Sequence, residues 1–225
     1  QVTGELGNGF LPGEISNIVD PVAYVATMVN LTTSAGGADK ESDDAYRERI
    51  HESPERFSTA GPTGAYEYWA KSANRAINDV TVYSPSAGVV EIRPLLDGGK
   101  IPGQEVLDAV DSILNKDTVR PLTDQVQVMA PEPVSYDVSL TYYIDRGMPE
   151  STVKDAVTQA IARYELWQSA KIGRDINPSR LIADVMSVPG VKRIVVASPV
   201  YTELTNIQVA QADKISATLG GSEDE

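Results

Sequence analysis

Four acidic side chains, Asp39, Glu41, Asp43 and Asp44, fall within one short stretch directly after Gly36-Gly37. Carboxylate oxygens at that density are what a hard cation such as calcium uses. A calcium loop of the EF-hand kind needs glycine at its sixth position and glutamate at its twelfth, and counting from Asp39 these fall on Asp44 and Ile50. The pattern fails. Acids at the start of a helix, where they favour the positive end of the helix dipole, explain the cluster more simply. His51, the single histidine, has neither a second histidine for a metal pair nor a Ser-His-Asp arrangement, so it reads as an ordinary side chain. The absence of cysteine excludes thiolate metal sites, disulfides and a Cys nucleophile. Glycine-rich stretches at Gly4 to Gly13, Gly36-Gly37 and Gly98-Gly99-Lys100 lack the spacing of a phosphate loop and read as turns. The 32 acids supply too many accidental pairs for a carboxylate couple to be chosen by spacing. The expectation is therefore of no catalytic residue, no cofactor-binding residue and no metal site.

Nineteen Lys and Arg against 32 Asp and Glu leave a net charge of −13. Phosphate backbones and anionic bilayers both need clustered cations, so duplex nucleic acid and membrane surfaces are poor partners. No apolar run approaches the roughly 18 residues of a membrane span. With 225 residues and 41% hydrophobic content, the chain can bury a core in one or two domains. Gln1 is no initiator, and residues 1–12 have neither a basic start nor an apolar signal core, so the chain reads as a fragment or a processed protein. Asn30-Leu31-Thr32 forms a glycosylation sequon that nothing else in the sequence supports.

The elements that would position these residues follow from periodicity. Residues 1–35 read as an extended arm with a short strand at Val22 to Val29. A central module, residues 36–130, opens with a short helix that carries Ala45, Tyr46 and Ile50 and ends near Ser53-Pro54, and a second runs from about Gly64 to Ile77. Strands follow at Val80 to Tyr83 and Val89 to Leu96 around Ser84-Pro85-Ser86-Ala87-Gly88, then a helix from about Gly103 to Asn115 and a strand at Gln125 to Met129. Pro131 and Pro133 suggest a boundary, because proline does not fit a central strand. The C-terminal module, residues 131–215, begins with the clearest alternation in the chain: Val134, Tyr136, Val138, Leu140, Tyr142 and Ile144 on one face. A long helix opens at Pro149, and a shorter one, capped by Asn177-Pro178, carries Leu181, Ile182, Val185 and Met186. Val191 to Ala197 is a last strand, and residues 216–225 read as a solvated acidic tail. The class is α+β: two small sheet-plus-helix modules after an extended N-terminal arm. Most aromatics fall on core stripes. Tyr143 points the other way, beside Thr141 and Ser139, and is a candidate protein-contact residue.

The run Gly36-Gly37-Ala38-Asp39-Lys40-Glu41-Ser42 resembles the Gly-Gly-x-Asp-x-Glu-Ser signature of baseplate J-like proteins, the wedge proteins of contractile phage tails and related injection machines. The likeness extends over roughly residues 7–200, through Arg47-Glu48-Arg49, Gly61-Pro62-Thr63-Gly64-Ala65-Tyr66, Ile101-Pro102-Gly103 and Val185-Met186-Ser187-Val188-Pro189-Gly190-Val191. It makes Gly36, Gly37, Asp39, Glu41 and Ser42 a structural motif and implies no catalytic residues. It also implies a structural protein of the virion's tail baseplate, assembled in the bacterial host cytoplasm. Such a protein forms wedges around the hub, links hub to sheath, and has interfaces that rearrange on contraction. Its partners would be other wedge and hub proteins and further copies of itself. Complete members of the family have a stretch before the position of Gln1. From other classes, a carboxylate-based hydrolase would show two convergent acids in a cleft, and a carbohydrate- or protein-binding module an exposed aromatic patch.

Overall fold

The computed structural model describes residues 4–20, 22–37, 40–54 and 62–224. The class is α+β. In the central module, helix α2 (Thr63–Ala73) precedes strands β1 (Ile77–Ser86) and β2 (Val89–Leu96), then α3 (Gln104–Leu114) and β3 (Gln125–Val128). The sheet order is β1-β2-β3, with β1 antiparallel and β3 parallel to β2. Only a crossover can return the chain parallel to β2, and α3 supplies it. Tyr66 and Ala70 of α2 and Val110 and Leu114 of α3 close over Ile77, Val80 and Ile92 of the sheet.

The C-terminal module is built from β4 (Glu132–Asp145), α4 (Glu150–Ser169), α5 (Pro178–Met186), β5 (Val191–Ser198) and β6 (Gln208–Glu223). Its sheet order is β5-β4-β6, with β5 antiparallel and β6 parallel to β4. The alternation of β4 is realised: Tyr136, Val138, Leu140, Tyr142 and Ile144 are buried against α4 and α5. The Asn177 cap also forms, its side chain accepting from the Ser179 N–H at 2.9 Å.

Several local expectations change. Residues 22–37 form no strand, and Tyr24 has φ +67°. Val22, Tyr24, Val25, Met28 and Val29 are all exposed, so their alternation has no core to face. Helix α2 stops before Ile77 because the Asn74 side chain accepts the Ala76 N–H at 2.9 Å, and Ile77 opens β1 instead. Pro85 lies inside β1, an edge strand, where the pairing register slips between Tyr83 and Ser86. Pro133 lies inside the central strand β4, contrary to the proline argument for a boundary. The reason is that β5 pairs only from Ser139 onward, so around Pro133 the strand has a neighbour on one side only. On α5, Leu181 and Val185 are buried while Ile182 and Met186 stay exposed. The solvated tail is strand as far as Glu223, paired to β4 through Asp145.

The two modules are not loosely strung. Leu95 of β2, Ile172 of the α4–α5 connection and Val209 of β6 form a third buried cluster, with Ile101 against it. The Ile172 N–H donates to Asp79 Oδ2 at 2.8 Å, and Gln211 Nε2 donates to the Gly99 carbonyl at 2.7 Å. Arg93, 4% exposed, pairs with Glu91 at 2.5 Å and donates to the Ala130 carbonyl where the chain crosses between modules. A buried guanidinium is costly unless its donors are used, and Glu91 and the Ala130 carbonyl use them here.

Candidate functional site

The signature region starts from a glycine pair whose two members are needed for different reasons. Gly36 has φ +80°, a conformation that side chains with a Cβ resist. Gly37 is confined by proximity: a Cβ there would lie 2.3 Å from the Gly4 carbonyl oxygen. The Asn8 side chain binds Gly37 twice, donating to its carbonyl and accepting its N–H, each at 2.7 Å. The arm thus doubles back, and Asn30 and Ser34 complete the closure. Asn30 Oδ1 accepts from the N–H groups of Gly13 and Ile15 at 3.0 Å, while its Nδ2 donates to the carbonyls of Leu11 and Thr32. Ser34 Oγ donates to the Gly7 carbonyl at 2.6 Å and accepts from Phe10 N–H at 3.0 Å. The sequon asparagine is therefore a clamp.

Asp39 and Gly61 of the signature segments lie outside the described residues. Glu41 takes a bidentate ion pair with Arg49, at 3.0 and 2.9 Å. Hydrogen bonding from that guanidinium holds the Glu41 carboxyl below the usual carboxylate range. Asp43 and Asp44 occupy the first turn of α1 (Asp43–Glu52), as acids at a helix start should. The Ser42 carbonyl accepts from the Tyr46 N–H at 2.9 Å. Arg49 also lies 5.0 Å from the centre of the Tyr46 ring. His51 is exposed in the last turn of α1. Among the described residues, no group of three or more acidic or histidine side chains is arranged to hold a metal ion.

Tyr143 lies on the face of β4 opposite the core, but it is half-buried. The Arg193 guanidinium of β5 sits 3.5 Å from its ring centre, and Gly220 of β6 lies against its edge. Arg193 is fixed in turn by a bidentate ion pair with Glu223, whose carboxyl it holds below the usual range. Arg146 pairs with Asp224 at 2.7 Å beside it. The outer face of the C-terminal sheet is thus a laced aromatic and ionic patch. Sequence reading found Tyr143 and missed Arg193, Glu223 and Gly220, which lie on different strands. Asn8 and Asn30 were missed as well, and the signal for the ion pairs was the basic Lys192-Arg193 at the start of β5 beside the acidic Glu223-Asp224 at the end of β6.

An open groove of about 430 Å³ runs between the modules, lined by Gly98, Ala162, Glu165, Leu166, Ser169, Gln211 and Ala212. Burial pushes the Glu165 carboxyl up. Glu165 is the one acid among those lining residues, so the paired carboxylates of a glycosidase are not assembled there.

Both modules match known families. Residues 58–130 match the model described as the Baseplate J-like central domain, and residues 136–218 match the Baseplate J-like protein C-terminal domain. The chain is 32% identical over 186 residues to baseplate protein J of Escherichia phage P2, an alignment covering 82% of this chain and 61% of that protein. It therefore spans about three-fifths of that relative's length. Among solved structures it resembles a chain of the cryo-EM structure of the anti-feeding prophage baseplate, six-fold symmetrised, with a TM-score of 0.56 over 90% of this chain and 48% of that chain. At 18% identity that likeness concerns the fold.

Proposed function

Because the chain belongs to the Baseplate J-like family of phage baseplate proteins, we propose that it is a structural component of a contractile phage or prophage-derived tail baseplate, forming wedges around the hub and linking hub to sheath. The observation that carries this reading is the joint between the two matched modules. Buried Leu95 and Val209, the Asp79 and Gln211 hydrogen bonds, and the Arg93 crossing make one stiff unit with different surfaces at its ends. A stiff unit transmits displacement, and contraction would rearrange the interfaces around it while leaving it intact.

On this reading the chain meets other wedge and hub proteins and further copies of itself, within the virion tail baseplate and after assembly in the host cytoplasm. It performs no catalytic step and uses no cofactor, nucleic acid or membrane. The glycine pair with Glu41 and Ser42 holds the arm and α1 in place, and the Tyr143 patch is a protein-contact surface. The test is to remove the protein from a tail-producing strain and image the particles. Tails should lack complete baseplates and regain them on complementation. Normal contractile particles in its absence would refute the proposal.

A further inference from the structure

Asn8-Gly9 is the one place in the sequence where asparagine precedes glycine. That dipeptide carries a chemical weakness. The Gly9 backbone nitrogen can attack the Asn8 side-chain Cγ, and glycine has no side chain to hinder the approach. A bond forms between that nitrogen and Cγ, the Cγ–Nδ2 bond breaks, and the Gly9 amide proton leaves with the amide nitrogen as ammonia. Water then opens the five-membered imide at either carbonyl, leaving aspartate or isoaspartate.

Two separate demands of the fold place these residues side by side. Gly9 has φ +89°, a conformation that side chains with a Cβ resist. Asn8 has to donate and accept at once, since it gives an N–H to the Gly37 carbonyl and takes the Gly37 N–H, each at 2.7 Å. The same closure blocks the reaction. Both ends of the Asn8 amide are held on Gly37, and the Gly9 N–H that must lose its proton donates to the Ser34 carbonyl at 2.8 Å. We propose that Asn8 is a deamidation site that arm closure keeps dormant, and that its conversion leaves the arm open. The products explain why the change does not reverse. Aspartate still accepts the Gly37 N–H, but its carboxylate has no N–H for the Gly37 carbonyl, so two oxygens face each other. Isoaspartate adds a methylene to the backbone and shifts the side chain out of register with Gly37. An arm that opens for long enough is thereby marked chemically.

The test follows the full chain in alkaline buffer by peptide mass spectrometry, with Asn206-Ile207 of the C-terminal module as the internal reference. Asn8 should convert slowly in the folded protein and fast in urea. Gly37→Val, whose Cβ meets the Gly4 carbonyl, should speed conversion at Asn8 about tenfold or more, the scale of two lost hydrogen bonds. The rate at Asn206 should stay as it was. Asn8→Asp supplies the product without the reaction. Its arm should be cut by protease within residues 4–37 as fast as that of Gly37→Val, while the melting of both modules is unchanged. Three results would each overturn the inference: conversion as fast in the folded protein as in urea, no acceleration in Gly37→Val, or an Asn8→Asp arm as resistant to protease as the original.

Discussion

Replacing Gly99 with alanine tests the joint between the modules directly. Gly99 has φ +71°, and a Cβ there would lie 2.4 Å from the Ser169 Cβ and 2.6 Å from its carbonyl oxygen. Gly98 provides the control: its φ is +68° but nothing lies within 4 Å of its Cβ position. A side chain in left-handed backbone costs about 1–2 kcal/mol, and both variants incur that. Forcing an extra carbon into a packed contact costs about a further 1–3 kcal/mol, and Gly99→Ala alone incurs it. Gly98→Ala should thus lose about 1–2 kcal/mol, and Gly99→Ala about 2–5 kcal/mol. The two tryptophans report separately, since Trp69 sits in α2 and Trp167 in α4. Urea unfolding of Trp69→Phe and Trp167→Phe backgrounds should give coincident midpoints while the joint holds. In the Gly99→Ala background the two midpoints should part. Equal losses for Gly98→Ala and Gly99→Ala, with midpoints still coincident, would refute the close approach and the coupling built on it.

Val at both Gly36 and Gly37 should open the arm, read as faster proteolysis within residues 4–37 and impaired assembly. The modules' melting should change little, and an arm as resistant as the original would refute the glycine argument. Tyr143→Ala should cost about 1–2 kcal/mol, from loss of the Arg193 stack and a half-buried ring. If Tyr143 is also a contact residue, co-sedimentation with baseplate proteins should fall further than in Arg193→Gln, which keeps the ring. His51→Ala should stay within about ±0.5 kcal/mol, as exposed substitutions do, and loss of any specific activity on this change would overturn the structural reading. Burial pushes the Tyr164 hydroxyl up to about 12 and that of Tyr136 still higher. Both stay protonated in the fold while the unfolded chain ionises near about pH 10, so stability holds below that pH and falls as pH rises toward 12. Tyrosinate absorbance alongside circular dichroism should show this, and Tyr136→Phe with Tyr164→Phe should flatten the decline.

The sequence alone determined the features carried by local periodicity and local capping. The two-residue alternation of β4 admits one buried face, and Tyr136 to Ile144 occupy it. Asn177-Pro178 begins α5 because an N-cap acceptor and a fixed φ act within one turn. Gly36 answers to its own left-handed backbone, a local requirement, whereas Gly37 answers to the Gly4 carbonyl, which only the folded arm brings against it. Tertiary structure decided whatever depended on neighbours distant in sequence. Val22 to Val29 has a strand's pattern but no sheet to join, and Gly220 to Glu223 has a tail's composition but the edge of β4 to pair with. Pro133 is tolerated in a central strand because β5 stops short of it. Tyr143 could be placed on the outer face, but Arg193 and Glu223, which lace it, come from other strands. The joint was the least legible feature. Leu95, Ile172 and Val209 are ordinary apolar residues until two sheets, each folded by its own pattern, bring them together out of water.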